Sequence, residues 1–116
     1  MKVLLTATVQ SHICQFHRPL VEVLHEHSCE VHVAARDNLA EKNGLKLDFV
    51  EKIFDVPFAR SPKSKDNIKA YKQLKKIIDG GHYDVVHCNT PMGGIVTRLA
   101  ARKARKQGTK VIYTAH

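Results

Sequence analysis

The sequence predicts an α/β fold, a Rossmann-like doubly wound parallel sheet with strand order about 3-2-1-4-5. Three observations predict it. Nearly continuous apolar, β-branched runs recur along the chain, as strands covered on both faces require. Stretches with apolar residues three and four apart lie between most of these runs, which is helical spacing. Proline, glycine and polar residues punctuate the joins.

The first run, KVLLTAT (Lys2 to Thr8), reads as a strand. It is no signal segment, because one lysine and a short apolar stretch lead to no small-residue cleavage site. A helix follows within Ile13 to His27, where Ile13, Phe16, Leu20, Val23, Leu24 and His27 recur at helical spacing. Pro19 is tolerated only in a first turn, so the regular part is expected to start at about His17 or Arg18. CEVHVAA (Cys29 to Ala35) is the second strand. RDNLAEKNGLKL is polar, contains Gly44 and reads as a loop with room for one helical turn. DFVEKIFDVP gives a short third strand near an edge, stopped by Pro57, and FARSPKS connects onward.

From Ser64 or Lys65 a helix runs to Asp79, with Ile68, Tyr71, Leu74, Ile77 and Ile78 on one side. Lys65, Lys69, Lys72, Lys75 and Lys76 fall mostly elsewhere, and Gly80 and Gly81 are expected to end it. YDVVHCN (Tyr83 to Asn89) is the fourth strand and TPMGG a tight turn. GIVTRLAARKARK is a strong helix former closed by Gly108, and KVIYTAH (Lys110 to His116) is the fifth strand.

At 116 residues the chain has the size of one domain, and 43% apolar with 26% charged residues is ordinary for a globular one. No apolar run is long enough to span a bilayer. Three cysteines without C-x-x-C spacing suit a reducing, cytoplasmic compartment, with Cys29 and Cys88 expected as small buried hydrophobes. Eight histidines form no tight cluster with cysteine or carboxylate, so no metal site is expected. The net charge of +8 is uneven: residues 1–59 hold 6 Lys/Arg and 8 Asp/Glu, a balance of −2. Residues 60–116 hold 13 and 3, a balance of +10. Such asymmetry points to an anionic partner: nucleic acid, an acidic lipid surface or phosphate groups.

In doubly wound sheets the ligand crevice lies at the carboxyl ends of the strands, where the order reverses. That rule selects the loop after strand one (TVQSHICQFH), the turn after strand four (NTPMGG) and His116 after strand five. No G-x-G-x-x-G follows strand one and no P-loop occurs, which argues against a nicotinamide enzyme or an NTPase. Thr6 and Thr8 cannot serve as the paired acids of a phospho-receiver.

TVQSH followed by FHRP, then HCNTPMGG leading into RLAARKAR, then KVIYTAH, resembles the start of a retaining family 4 glycosyltransferase of the GT-B fold. The branch it resembles builds capsular and exopolysaccharide repeat units, and the likeness runs the whole length of the chain, in order. The resemblance implies an acceptor-side Rossmann domain over residues 1–116, incomplete at its C-terminal end. A second Rossmann domain, absent here, would hold most of the nucleotide-sugar contacts, including a paired-glutamate motif. It further implies transfer from a nucleotide-sugar donor, a UDP-sugar by expectation, to a lipid-linked saccharide on a polyprenyl diphosphate. No divalent metal or other cofactor is implied, and the enzyme would work at the inner face of the cell membrane. By itself this stretch is expected to be inactive.

The same resemblance gives His116 the catalytic position: the histidine that closes strand five at the interdomain cleft and positions the donor sugar or its phosphate. Ser11, His12 and His17 belong to the segment after strand one, which in related enzymes lies over pyrophosphate or acceptor. The glycines usual there are replaced by Val9, Gln10, Ser11 and His12, which makes His12 the better candidate and leaves His17 second. Gly93 and Gly94 at a helix start would leave N–H groups for an anion, or merely let the helix begin hard against the sheet. Asn89 and Thr90 could bond an acceptor hydroxyl or cap that helix. His87 reads as a buried structural residue of strand four, and His25, His27, His32 and His82 as structural too.

Lys65, Lys69, Lys72 and Lys76 form a solvated face that also suits an anionic leaflet. The cluster from Arg98 to Lys110 either shares that role or solubilises. A UDP-sugar epimerase of the GT-B type shares the architecture, but FHRP and NTPMGG fit the transferase branch better. A basic nucleic-acid module is the reading from another class; 6% aromatic residues and no reader motif weigh against it. An exposed edge or apolar patch beside strand five is expected to drive self-association.

Overall fold

The computed structural model describes residues 1–37, 49–59, 65–88 and 91–113, and only the backbone at His12, Gln15, Phe16 and residues 91–94. In chain order the elements are β1 (Lys2–Val9), α1 (Gln10–Phe16), α2 (Arg18–Glu26), β2 (Glu30–Arg36), β3 (Lys52–Asp55), α3 (Asp66–Gly81), β4 (Val85–Cys88), α4 (Pro91–Ala100), α5 (Arg102–Lys106) and β5 (Lys110–Tyr113). The strands form one parallel sheet in the order β3-β2-β1-β4-β5, as predicted.

β1 lies in the middle because its residues suit burial on both faces. Leu4 points into a core under α3, α4 and α5, with Val86, Leu74, Ile78 and Ala100. Val3, Leu5 and Ala7 point into a second core under α1 and α2, with Ile13, Val21 and Val33. Leu4 and Leu5 are fully buried, each contributing roughly 1.5–3 kcal/mol by removal from water. Thr6 would be a polar defect in β1 but for its hydroxyl, which lies 3.0 Å from the Thr97 hydroxyl and pins α4 to the strand.

Several boundaries differ from expectation, each for a local reason. The segment after β1 is not a loop: α1 begins at Gln10, directly after the strand, and a separate α2 starts at Arg18 with Pro19 in its first turn. The register of β1 against β2 shifts by one residue between Thr6 and Val9. Such a bulge turns the chain off the sheet at once. His27 is exposed, and helical spacing had assigned it wrongly to the apolar face. Gly80 and Gly81 lie inside α3; the residue that ends the helix is His82, in the left-handed region at φ 52°. α4 starts at Pro91, so Gly93 and Gly94 sit within its first turn rather than opening it. Cys29 and Cys88 are buried, as expected. Of the predicted loop at 36–47, Arg36 instead closes β2 and residues 38–47 lie outside the described residues, as do residues 60–64 of the connector at 58–64.

Two clamps fix α3 beneath the crevice. The Asn67 amide accepts from Ala59 N–H at 2.9 Å and donates to the Ala59 carbonyl at 3.1 Å. Arg36, at the carboxyl end of β2, donates to the carbonyls of Phe58 (2.6 Å) and Pro57 (3.2 Å) and to Asp66 Oδ2 (3.1 Å). The chain leaving β3 is thereby held from both sides.

Candidate functional site

The crevice at the strand ends is built on β1 and β4, neighbours through Thr6 and Cys88. Where β1 passes into α1, Thr8, Gln10 and Ser11 are all buried. Gln10 Nε2 donates to the Ala35 carbonyl at 3.3 Å, tying the first residue of α1 to the end of β2. Ser11 therefore faces protein rather than open solvent. His12 lies on α1 and only its backbone is described.

His17 occupies the joint between α1 and α2 and is 2% exposed. Its ring centroid lies 6.2 Å from that of His87. His87 is half-buried, not sunk in the core as the apolar run around it suggested. On a strand alternate residues face opposite sides. Val86 and Cys88 are buried, while Val85 and His87 share the face covered by α1 and α2, which extends only in part over β4. The pairing of His17 with His87 needs this register and is not visible in either sequence motif.

The Cys88 thiol is pushed up from its ordinary value by burial, only partly offset by the hydroxyls of Thr6 and Thr97 and the charge of Arg98. It is a packing group rather than a nucleophile. Asn89, Thr90 and His116 lie outside the described residues. Gly93 and Gly94 reach the crevice as backbone in the first turn of α4, where the helix dipole favours negative charge. No group of three or more His, Cys, Asp or Glu placed to hold a metal occurs among the described residues. The chemistry on offer at these strand ends is hydrogen bonding and anion attraction.

Arg36 also stands at these strand ends and was not among the residues singled out from the sequence, although the strand-end rule points to it: it closes β2 as Val9 closes β1. Lys65, Lys69, Lys72 and Lys76 are all exposed. At about 100° per residue they fall within about 60° of one another, opposite the buried stripe of Asn67, Ala70, Leu74 and Ile78. No described helix is long and apolar enough to cross a membrane.

Comparison with known proteins agrees with this architecture. Residues 2–116 match the family model described as glycosyl transferase 4-like. EpsD of Bacillus subtilis (strain 168), by its name a glycosyltransferase, is 48% identical over 115 residues, covering 99% of this chain and 29% of that protein. The UDP-GlcNAc 2-epimerase of Neisseria meningitidis bound to UDP-GlcNAc superposes with a TM-score of 0.70 at 17% identity, over 97% of this chain and 32% of that one. MurG of Acinetobacter baumannii gives 0.63 at 16% identity, over 99% and 34%. The two structures speak for the fold alone, and the chain spans about a third or less of each of these relatives. With the family model matched from Lys2 to His116 on a sheet of the order β3-β2-β1-β4-β5, the chain belongs to the glycosyl transferase 4-like family.

Proposed function

We propose that the chain is the acceptor-side wall of a retaining glycosyltransferase that acts in cell-surface polysaccharide synthesis. The observation that carries this reading is the match to the family over the whole chain, together with 48% identity to EpsD. The donor is a nucleotide sugar, a UDP-sugar by our reading, and the acceptor a saccharide on a polyprenyl diphosphate. His116 orients the donor, His12, Asn89 and Thr90 line the acceptor side, and the buried Ser11 and His17 support that wall from behind. The first turn of α4, with Gly93 and Gly94, supplies dipole and N–H groups where the leaving diphosphate gathers charge. A second domain contributes the remaining nucleotide contacts, and no divalent metal takes part. The enzyme is cytoplasmic and rests on the inner leaflet, with Lys65, Lys69, Lys72 and Lys76 contributing long-range attraction.

The test is an assay of the full-length protein carrying this chain, with radiolabelled UDP-sugars and lipid-linked acceptors. Label should move to the organic-soluble acceptor with the donor's anomeric configuration kept. His116→Ala should lower kcat by about 10²–10³, the size of a lost transition-state contact. Release of a C2-epimerised sugar nucleotide with no lipid product would replace this reading with the epimerase one. Shared folds with three UDP-GlcNAc 2-epimerases make that outcome worth assaying.

A further inference from the structure

Eight large hydrophobic residues are exposed among the described residues, and three of them, Ile68, Ile95 and Leu99, surround one groove. The groove lies between α3 and α4 and encloses about 370 Å³, with Tyr71 and Arg102 also in its lining. Ile68 is 59% exposed and so does not belong to the buried stripe that its spacing suggested. A second cavity of about 290 Å³ continues from it and shares Tyr71, Leu99 and Arg102. This one is lined by Lys75, Lys103 and Lys106 as well. Lys75 is held by Asp79, its Nζ 2.6 Å from Oδ2. Among the described residues no ion pair involves Arg102, Lys103 or Lys106.

One end of the site is therefore greasy and the other cationic, with three residues common to both. That polarity matches a molecule with an apolar chain and an anionic head. We infer that the α3–α4–α5 groove is a docking site for an anionic lipid, its head group over Arg102, Lys103 and Lys106 and its chain along Ile68, Ile95 and Leu99. The inference deepens the membrane contact proposed above and rests on it. It moves the contact, because none of Lys65, Lys69, Lys72 or Lys76 lines either cavity. α3 and α4 both begin near the carboxyl ends of the strands and run back along the sheet, so the cations lie at the end far from the crevice. A lipid held this way round anchors the protein and leaves the reacting acceptor to the crevice. Apolar insertion also makes binding resist salt, whereas a lysine stripe alone is screened over about 8 Å at physiological ionic strength.

The test is co-sedimentation of the 116-residue chain with vesicles of phosphatidylcholine holding about 30 mol% phosphatidylglycerol, against phosphatidylcholine alone. Binding should be tighter to the anionic vesicles by about tenfold or more. Ile95→Ser with Leu99→Ser, and separately Lys103→Gln with Lys106→Gln, should each weaken it by about tenfold. Lys69→Gln with Lys72→Gln and Lys76→Gln should change it by about threefold or less at about 0.15 M salt. All these positions are exposed, and circular dichroism checks that the variants stay folded. Methyl resonances of Ile68, Ile95 and Leu99 should move on adding short-chain phosphatidylglycerol and stay still with inorganic phosphate. Failure of the unmodified chain to prefer anionic vesicles would overturn the membrane reading and the groove together. Preference lost in the lysine-stripe variant but kept in both groove variants would leave the membrane contact standing and remove the groove from it. Equal shifts with inorganic phosphate would reduce the site to an anion site. Shifts with an acidic amphipathic peptide but none with lipid would give the groove to a protein helix instead.

Discussion

Tyr83 ties together the end of the sheet away from the crevice. Its hydroxyl lies 2.7 Å from His32 Nδ1, and His32 Nε2 lies 2.6 Å from Glu30 Oε2. With Nε2–H donating to the carboxylate, a neutral His32 ring accepts from the tyrosine hydroxyl. His32 is 7% exposed and Tyr83 3%, so the chain of bonds satisfies groups that water cannot reach. Tyr83 is pushed up from 10.0 to about 12, first by burial and then by the charge of Glu30. The folded state thus keeps this proton after the unfolded chain has lost it. Its contribution to stability is complete below about pH 10 and is lost as pH climbs toward about 12. Tyr83→Phe leaves His32 Nδ1 without this bond and should cost about 1–3 kcal/mol at about pH 8 in urea unfolding. At about pH 11.5 the difference between the two proteins should narrow, because only the original one has a Tyr83 proton to lose. A gap of constant size across that range would show that Tyr83 ionises as it does in the unfolded chain.

Helix ends show where local signals can be read from sequence and where geometry overrules them. Gly80 and Gly81 look like a stop, yet α3 runs through both and turns at His82. A side chain added at Gly81 would collide with the Tyr83 ring. Gly81 is there for close packing, and the left-handed turn falls to the next residue. His82 pays for that conformation with a steric cost that glycine lacks. His82→Gly should therefore raise stability by about 0.5–1 kcal/mol, lifting Tm by several degrees in a thermal melt. A lower melting temperature would mean that the imidazole contributes more than its backbone strain removes. At the other end of a helix, Gly108 at φ +108° does what its sequence position suggested, closing α5 before β5. Strand cores were readable because double-sided burial demands unbroken apolar runs. The start of α1 was not, since the one-residue shift in β1 depends on pairing with β2.

The order of the five strands was legible because a regular alternation of strands and helices admits few right-handed parallel arrangements. The approach of His17 to His87 was not, since it depends on the face each presents. The apolar groove was hidden for the same reason: Ile68 and Leu99 look like core residues until α3 and α4 are set side by side. One further surface follows from the sheet as a whole. β5 pairs with β4 on one side and stands at the edge of the described sheet. Ile112 is 47% exposed and Tyr113 43%, on opposite faces of the strand. An edge with free backbone donors and acceptors beside exposed apolar side chains is a template for another strand. Nearby Lys110 opposes this only weakly, since one charge at the start of a short strand leaves the rest of the edge open. We therefore expect the 116-residue chain to self-associate through β5 as its concentration rises to about 100 μM, within the range where exposed edges associate. Sedimentation velocity should show a concentration-dependent shift to a larger species, and Ile112→Lys should return the chain to monomer by placing a charge at the contact. Lys69→Gln with Lys72→Gln and Lys76→Gln should leave the shift in place, because the lysine stripe lies on the outer face of α3. A single slow boundary at every concentration for the unmodified chain would rule out association through this edge.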